Sequence, residues 1–265
     1  QILEEHAFAL ELAAAEIAVV APLVLAAGTL VQQSGFRFAA FPLRAGGAPD
    51  LDQPGARELL GRSLGRIHAI GALRPFAARP SLTGERLGTR ARRVVLASGR
   101  LPGHMRERYE QVSAELLEQI TWALGGGERT IRLHGDCHLG NILWQSHGAA
   151  QGPVFVDLDD CLQGPAIQDL WMLLSGTPDE RRGQWAELMA GYGRFATLEH
   201  SQLRLIEPLR ALRMLAHAAW IAERWADPAF PRAFPWFGEA RYWEQHVLDL
   251  AEQGAALLDD PTGMA

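Results

Sequence analysis

The chain has 265 residues, 48% of them hydrophobic and 21% charged, with a net charge of −6. That is enough apolar material for one large domain or two modest ones with a real core, and it excludes wholesale disorder. The acidic balance lacks the basic stripe of a general nucleic-acid binder, and the most apolar stretch, 13–30, is broken by Glu16, Pro22 and Gly28, so no segment reads as a membrane span.

Residues 2–16 place Ile2, Leu3, Phe8, Leu10 and Leu12 among acids, the pattern of an amphipathic helix. The chain opens into this helix directly from Gln1, which reads as the interior of a longer protein. Pro22 and Gly28 then punctuate two short apolar runs, 23–25 and 29–31, and residues 36–41 are aromatic-rich and partly alternating; two or three antiparallel strands are expected here. The connector PLRAGGAPD (42–50) is the candidate domain boundary, with 1–44 on one side and 45–265 on the other. Leu59, Leu60, Leu64 and Ile67 mark one helical face. Residues 73–103 have little periodicity and read as a long loop with short helical pieces, and 104–124 return to helix. Thr130–Leu133 and Val154–Val156 read as two strands. From GPAIQDLWMLL (164–174) onward the pattern is helical, strongest over 205–225, interrupted by the Pro- and aromatic-rich 226–237, and closed by a helix over 239–258.

The only cysteines are Cys137 and Cys161, too few for a disulfide framework, so the simplest compartment is a reducing cytoplasm. Both read as small buried residues. All 25 basic residues are arginine. Chemistry that needs a lysine cannot be completed within these residues.

The two predicted strands flank polar loops. LHGDCHLGN (133–141) follows the first, and Asp157 ends the second. Loops carried on a rigid scaffold are common places for sites. Asp136 can accept or orient a hydroxyl proton. Asn141 offers a neutral oxygen and Asp157 a carboxylate, a mixed set that suits Mg²⁺ sharing its shell with water and phosphate. A base beside two hard oxygen ligands points to phosphoryl transfer, in which a protein mainly positions groups and neutralises charge. Taken alone, Asp136 would read as an ordinary loop-capping acid. Asp159 and Asp160 are either further ligands or solvated turn acids. His134 and His138 flank Asp136 and would also fit a hydrolase with paired metals, although no second histidine motif accompanies them.

His134-Gly135-Asp136-Cys137-His138-Leu139-Gly140-Asn141 resembles the HGDxHxGN catalytic loop of the aminoglycoside-phosphotransferase-like and choline-kinase-like kinases. Phe155-Val156-Asp157 resembles the strand end that carries their magnesium-binding Asp. Gln168-Asp169-Leu170 resembles the helix start whose acid hydrogen-bonds back to the catalytic loop. QILEEH (1–6), FVDLDD (155–160), GPAIQDLWMLL, IEPLRALR (206–213) and RWADPAFP (224–231) extend the likeness over nearly the whole chain, toward the bacterial stress-response Ser/Thr protein kinases.

The resemblance implies an α+β, protein-kinase-like fold: a truncated small lobe with its hinge over 1–44 and a large, mainly helical catalytic lobe over 45–265. It implies ATP as co-substrate and Mg²⁺ as cofactor. Asp136 and Asp157 would be catalytic, Asn141 and Asp157 the metal ligands, and His134 and Asp169 the supports of the loop. The hinge backbone near Phe41 and Leu43 would face the adenine. The family also uses a lysine, on a sheet that would precede residue 1, paired with a helical glutamate. Glu5, twelve residues before Ile17, is the expected partner and Glu4 the alternative. The 265 residues alone are therefore expected to be nearly inactive. The implied acceptor is a protein Ser/Thr hydroxyl in the cytoplasm, with the chain acting as a monomer and using neither nucleic acid nor membrane. A small-molecule alcohol, or a kinase-like remnant that only binds a partner, is compatible with the same residues.

Overall fold

The computed structural model describes residues 1–145 and 151–258. In chain order the elements are α1 (Ile2–Ala14), β1 (Val31–Gln33), β2 (Phe36–Phe38), α2 (Ala56–Gly71), α3 (Arg90–Ala97), α4 (Arg106–Leu124), β3 (Thr130–Leu133), β4 (Ile142–Gln145), β5 (Gly152–Phe155), β6 (Leu162–Pro165), α5 (Gln168–Trp171), α6 (Pro178–Tyr192), α7 (Ile206–Glu223), α8 (Ala229–Ala233) and α9 (Ala240–Leu258). The described residues form two compact units, one from Gln1–Ser81 and Arg129–His200, the other from Leu82–Glu128 and residues 201–258.

In the first unit, α1 buries Glu5, His6, Phe8, Ala9 and Leu12 on one face; of the apolar positions read from the sequence, Phe8 and Leu12 are in that face and Leu3 is exposed. β1 and β2 form a short antiparallel hairpin with Val31 opposite Phe38, turned by Ser34 and Gly35 at positive φ. The earlier run 23–25 is not a strand; Leu25 makes only a local bridge to Gly28.

Two strand pairs and two isolated bridges build the scaffold of the loops. β4 lies antiparallel to β5 with Ile142 opposite Phe155. On the other edge of β5, Val19 forms a parallel bridge to Phe155, and on the other edge of β4, Gly47 bridges Trp144, so the Pro/Gly connector is tied to the strands. β3 lies antiparallel to β6 with Leu133 opposite Leu162. β4 and β6 were not expected from sequence. Gly164 and Pro165 are poor strand residues and hide the second of them.

Helix α6 starts on a capping box. Thr177 accepts from the Glu180 N–H, Glu180 accepts from the Thr177 N–H, and Pro178 occupies the first turn. α2 and α6 pack with their backbones nearly touching. A Cβ on Gly61 would stand 2.0 Å from the Leu188 carbonyl oxygen, and one on Gly191 would stand 1.9 Å from that of Glu58.

The second unit is helical, with a core drawn from α3, α4, α7 and α9 that includes Val95, Tyr109, Leu116, Leu212, Leu215 and Trp243. The predicted helices over 104–124, 205–225 and 239–258 are present as α4, α7 and α9. The loop expected over 73–103 contains α3. Among the described residues, no helix is long and apolar enough to cross a membrane.

The glycine contact generates a stability prediction. Gly61→Ala should destabilise the protein by about 1–3 kcal/mol through overpacking against the α6 backbone. Gly183→Ala, where a Cβ would meet nothing within 4 Å, should be neutral or slightly stabilising. Urea denaturation of the two variants measures the contrast.

Candidate active site

The site is assembled in the first unit by the strand registers. Because Ile142 pairs with Phe155, the residue before β4 and the residues after β5 emerge at the same end; the Val156 N–H donates to the Asn141 carbonyl at 3.0 Å. Asn141 and Asp157, sixteen residues apart, are thereby brought together. Because Leu133 pairs with Leu162, the loop after β3 meets the segment that enters β6. Gly135, at φ +90, lies so close that a Cβ would stand 2.2 Å from the Asp160 carbonyl oxygen. That position accepts only glycine.

Within the loop, the Asn141 amide donates to the Asp136 carbonyl at 3.0 Å and approaches its carboxylate at 3.5 Å. His138 Nε2 lies 3.4 Å from Asp136 Oδ2, and His138 Nδ1 accepts the Gly140 N–H at 3.0 Å. With its NH₂ turned to Asp136, Asn141 has its amide oxygen for another contact. His134 Nε2–H donates to the Val156 carbonyl at 2.8 Å. Both histidines thus take part in ordering the loops. Among the described residues, no group of three His, Cys, Asp or Glu side chains is arranged to hold a metal. The Asn141–Asp157 oxygen set fits a hard cation that completes its shell with water and phosphate, the habit of Mg²⁺.

Asp157 itself is at φ 63, ψ 61, the left-handed region that a side-chain-bearing residue seldom adopts. Such outliers persist where the surroundings over-determine them. Asp159 lies beside it. Burial, then hydrogen bonding to and repulsion by Asp157, raises the Asp159 carboxyl above its ordinary value.

The loop hangs from Asp169, which is fully buried at the start of α5. One carboxylate oxygen accepts the His134 N–H at 2.8 Å and His68 Nε2–H at 3.1 Å; the other accepts the Gly135 N–H at 2.8 Å. Burial alone would raise this carboxyl, but the His68 hydrogen bond, the electrostatics of the adjacent His68 and His134 rings and the Gly135 N–H outweigh it and hold it below the ordinary carboxylate range. On its far side, His68 Nδ1 meets the Tyr192 hydroxyl at 3.0 Å, and burial pushes that phenol upward, so it stays a donor. Gln168 adds a bond from its side-chain N–H to the Gly135 carbonyl at 2.9 Å. His68 and Tyr192 were missed in the sequence. The available signal was a histidine on the buried face of α2, beside Leu64 and Ile67.

Next to the loops is a pocket of about 650 Å³. Ile2, Val20, Leu30 and Phe38 give it apolar walls, and Glu5, Asp157 and Asp159 give it an acidic side. Phe41 lines it. Leu43 does not, and its side chain is fully exposed. Glu5 reaches the pocket and pairs with Arg79 at 3.2 Å; burial nonetheless raises its carboxyl. Glu4 is used elsewhere, accepting the backbone N–H groups of Ala77, Ala78 and Arg79. Cys137 and Cys161 are free and buried, and burial pushes the Cys161 thiol up to about 12 and the Cys137 thiol well up, so neither is a poised nucleophile.

A helical and small-sheet scaffold, a loop with an acid and an amide five residues apart, and a second acid on a neighbouring strand define the class of kinase-like phosphotransferases. Residues 1–212 match the model of the phosphotransferase enzyme family, and the chain belongs to that family. It is 40% identical over 261 residues to stress response kinase A of Escherichia coli (strain K12), which covers 98% of this chain and 78% of the relative. The same values hold for serine/threonine protein kinase RdoA of Salmonella typhimurium. Among solved structures, an amicoumacin kinase in complex with AMP-PNP, Ca²⁺ and Ami is similar with a TM-score of 0.70 at 17% identity, covering 97% of this chain and 77% of that one. A microcompartment-associated aminopropanol kinase is similar with a TM-score of 0.67 at 20% identity, covering 100% and 83%. The α+β, kinase-like fold expected from sequence is the fold these proteins share.

The buried carboxylate yields a prediction with a pH signature. Asp169→Asn should cost about 3–5 kcal/mol, since it breaks a buried pair and sets an NH₂ against N–H donors. Asp169 is depressed in the folded state, so its contribution is full above the unfolded value of about 4 and is lost as pH falls below it. Denaturation of wild type and variant should show a gap that is wide at pH 7 and narrows below about pH 4. Tyr192→Phe should cost about 1–3 kcal/mol by leaving His68 Nδ1 unsatisfied.

Proposed function

We propose that this phosphotransferase moves the γ-phosphoryl group of ATP to a serine or threonine hydroxyl of a protein, with Mg²⁺, in the cytoplasm. The observation that carries this is the convergence of Asp136, Asn141 and Asp157 at one end of the β4–β5 pair, beside an apolar pocket with an acidic side.

In this reading the pocket takes the nucleotide, with Phe41 against the base and the backbone of the Phe41–Leu43 connector as its hydrogen-bonding edge. Asn141 Oδ1 and the Asp157 carboxylate hold Mg²⁺, which when bound neutralises charge building on the transferring phosphoryl. Asp136 orients the acceptor hydroxyl and takes its proton as the new oxygen–phosphorus bond forms and the bond to the ADP oxygen breaks. Asn141, donating to Asp136, couples the proton acceptor to the metal site. His134 and Asp169 keep the loop in place. Residues 1–44 act as part of the small lobe, with Glu5 as its ionic residue.

The protein acceptor and the stress-response setting rest on the names of the 40%-identical relatives. The nucleotide is supported by AMP-PNP in the amicoumacin kinase complex. The second reading, a small-molecule alcohol as acceptor, is favoured by the names of the solved relatives, an amicoumacin kinase and an aminopropanol kinase. Radiolabelled ATP offered to the full-length protein with a generic Ser/Thr protein or with small amino alcohols separates the two.

Two substitutions in the full-length protein test the roles. Asp136→Asn should leave Mg·ATP affinity nearly unchanged while the transfer rate falls by roughly 10²–10⁴-fold; transfer at the parent rate would remove Asp136 from the mechanism. Asp157→Ala should weaken Mg·ATP binding more than adenosine binding, and equal losses of both by calorimetry in a folded variant would contradict its metal role.

A further inference from the structure

Arg79 lies in a stretch that the sequence leaves as an irregular loop, yet it is among the most tightly held residues beside the pocket. Its side chain is only 8% exposed. Three edges of one planar guanidinium point in three directions. Nη1 donates to the Glu5 carboxylate at 3.2 Å, Nε donates to the Cys161 carbonyl at 2.7 Å, and Nη2 donates to the Asp159 carbonyl. Its own backbone is fixed as well. The Arg79 N–H is held by Glu4 of α1 at 2.6 Å, Gln163 of β6 donates its N–H to the Pro80 carbonyl at 2.9 Å, and Ser81 bridges β6 in parallel.

The residues it ties together matter. Glu5 belongs to α1, whereas Asp159 and Cys161 belong to the turn that begins at Asp157, the residue in the left-handed conformation. Glu5, Asp157 and Asp159 all line one pocket and repel one another; Arg37 and Arg79 line it too, and Arg79 pairs directly with Glu5. A lysine would preserve the charge but could not serve a carboxylate and two diverging carbonyls at once.

We propose that Arg79 is a positioning residue of the phosphotransferase: its guanidinium clamps Glu5 of α1 to the 159–161 backbone and so fixes the turn that presents Asp157 to the metal-bound phosphates. The inference rests on the nucleotide-site reading given above and adds to it a residue that acts through Asp157 without touching the reacting atoms. The charge of Arg79 restrains the acids; its planar geometry sets the turn. The two contributions are separable by substitution.

The test uses the full-length protein, with calorimetric titration by Mg·ATP and by adenosine and thermal unfolding monitored alongside. Arg79→Lys keeps the charge and loses the two carbonyl bonds. It should weaken Mg·ATP by about tenfold or more, the effect of losing charge-assisted hydrogen bonds, while adenosine affinity stays within about twofold. Glu5→Gln keeps the shape and loosens the clamp from the other end, and should produce a smaller loss in the same direction. A role confined to stability would lower the unfolding temperature and leave the ratio of the two affinities at the wild-type value. That ratio, unchanged in Arg79→Lys, overturns the proposal while the nucleotide site stands. If Arg79→Lys does not fold, Glu5→Gln decides, and a wild-type ratio there overturns it equally. A wild-type protein that binds Mg·ATP no more tightly than adenosine overturns both the clamp and the nucleotide-site reading.

Discussion

A carboxylate removed from water is unfavourable unless donors surround it, and Asp169 meets that requirement with the backbone of the loop it serves. Its oxygens take the N–H groups of His134 and Gly135 and the side chain of His68. The demand of one buried charge therefore fixes two consecutive peptide groups immediately before Asp136. The close approach of α2 and α6 serves the same carboxylate. His68 is carried by the first and Tyr192 by the second, and their 3.0 Å contact depends on helix backbones brought together through Gly61 and Gly191. Packing far from any reacting group is in this way transmitted to the loop by hydrogen bonds.

The strand registers impose the second constraint. Short antiparallel pairs such as β3–β6 and β4–β5 contribute little stability alone. Their value here lies in alignment. One pair brings Asn141 beside the turn of Asp157, and the other lays the Gly135 loop against Asp160. Glu5, Asp157 and Asp159 then crowd around one pocket, where Arg79 pairs with Glu5, and in the neighbouring loop the Asn141 amide donates to the Asp136 carbonyl. Preorganisation of this kind suits phosphoryl transfer, where orientation and charge stabilisation supply most of the catalysis.

The parts legible in the sequence were those whose partners lie close along the chain or whose pattern is periodic. Asp136 and Asn141 stand five residues apart on one loop, and Asp157 closes an apolar run, so their grouping could be inferred. The amphipathic spacing of 2–16 and 205–225 marked α1 and α7. Asp169 became visible only through family resemblance, because an acid in the first turn of a helix is otherwise ordinary. His68 and Tyr192 were illegible for a physical reason: their hydrogen bonds span 101 and 124 residues. Arg79 meets Glu5 across 74 residues from a stretch without periodicity. β6 was hidden by its Gly and Pro. Glu5 was expected to await a lysine; within these residues it has Arg79 instead, while Glu4 caps the loop that delivers Arg79.

The proposal that most depends on this geometry is that Asn141 and Asp157 would supply the protein ligands of a Mg²⁺ ion whose shell is completed by phosphate and water. Crystals of the full-length protein grown with Mn²⁺ and a non-hydrolysable ATP analogue test it by anomalous scattering, since Mn²⁺ takes the same hard oxygen ligands as Mg²⁺. The account predicts an anomalous peak in direct coordination to both the Asp157 carboxylate and Asn141 Oδ1, with the nucleotide base in the pocket lined by Phe41. A nucleotide seated in that pocket with its metal bound by Glu5 and Asp159, and with Asn141 and Asp157 outside the coordination shell, would contradict it.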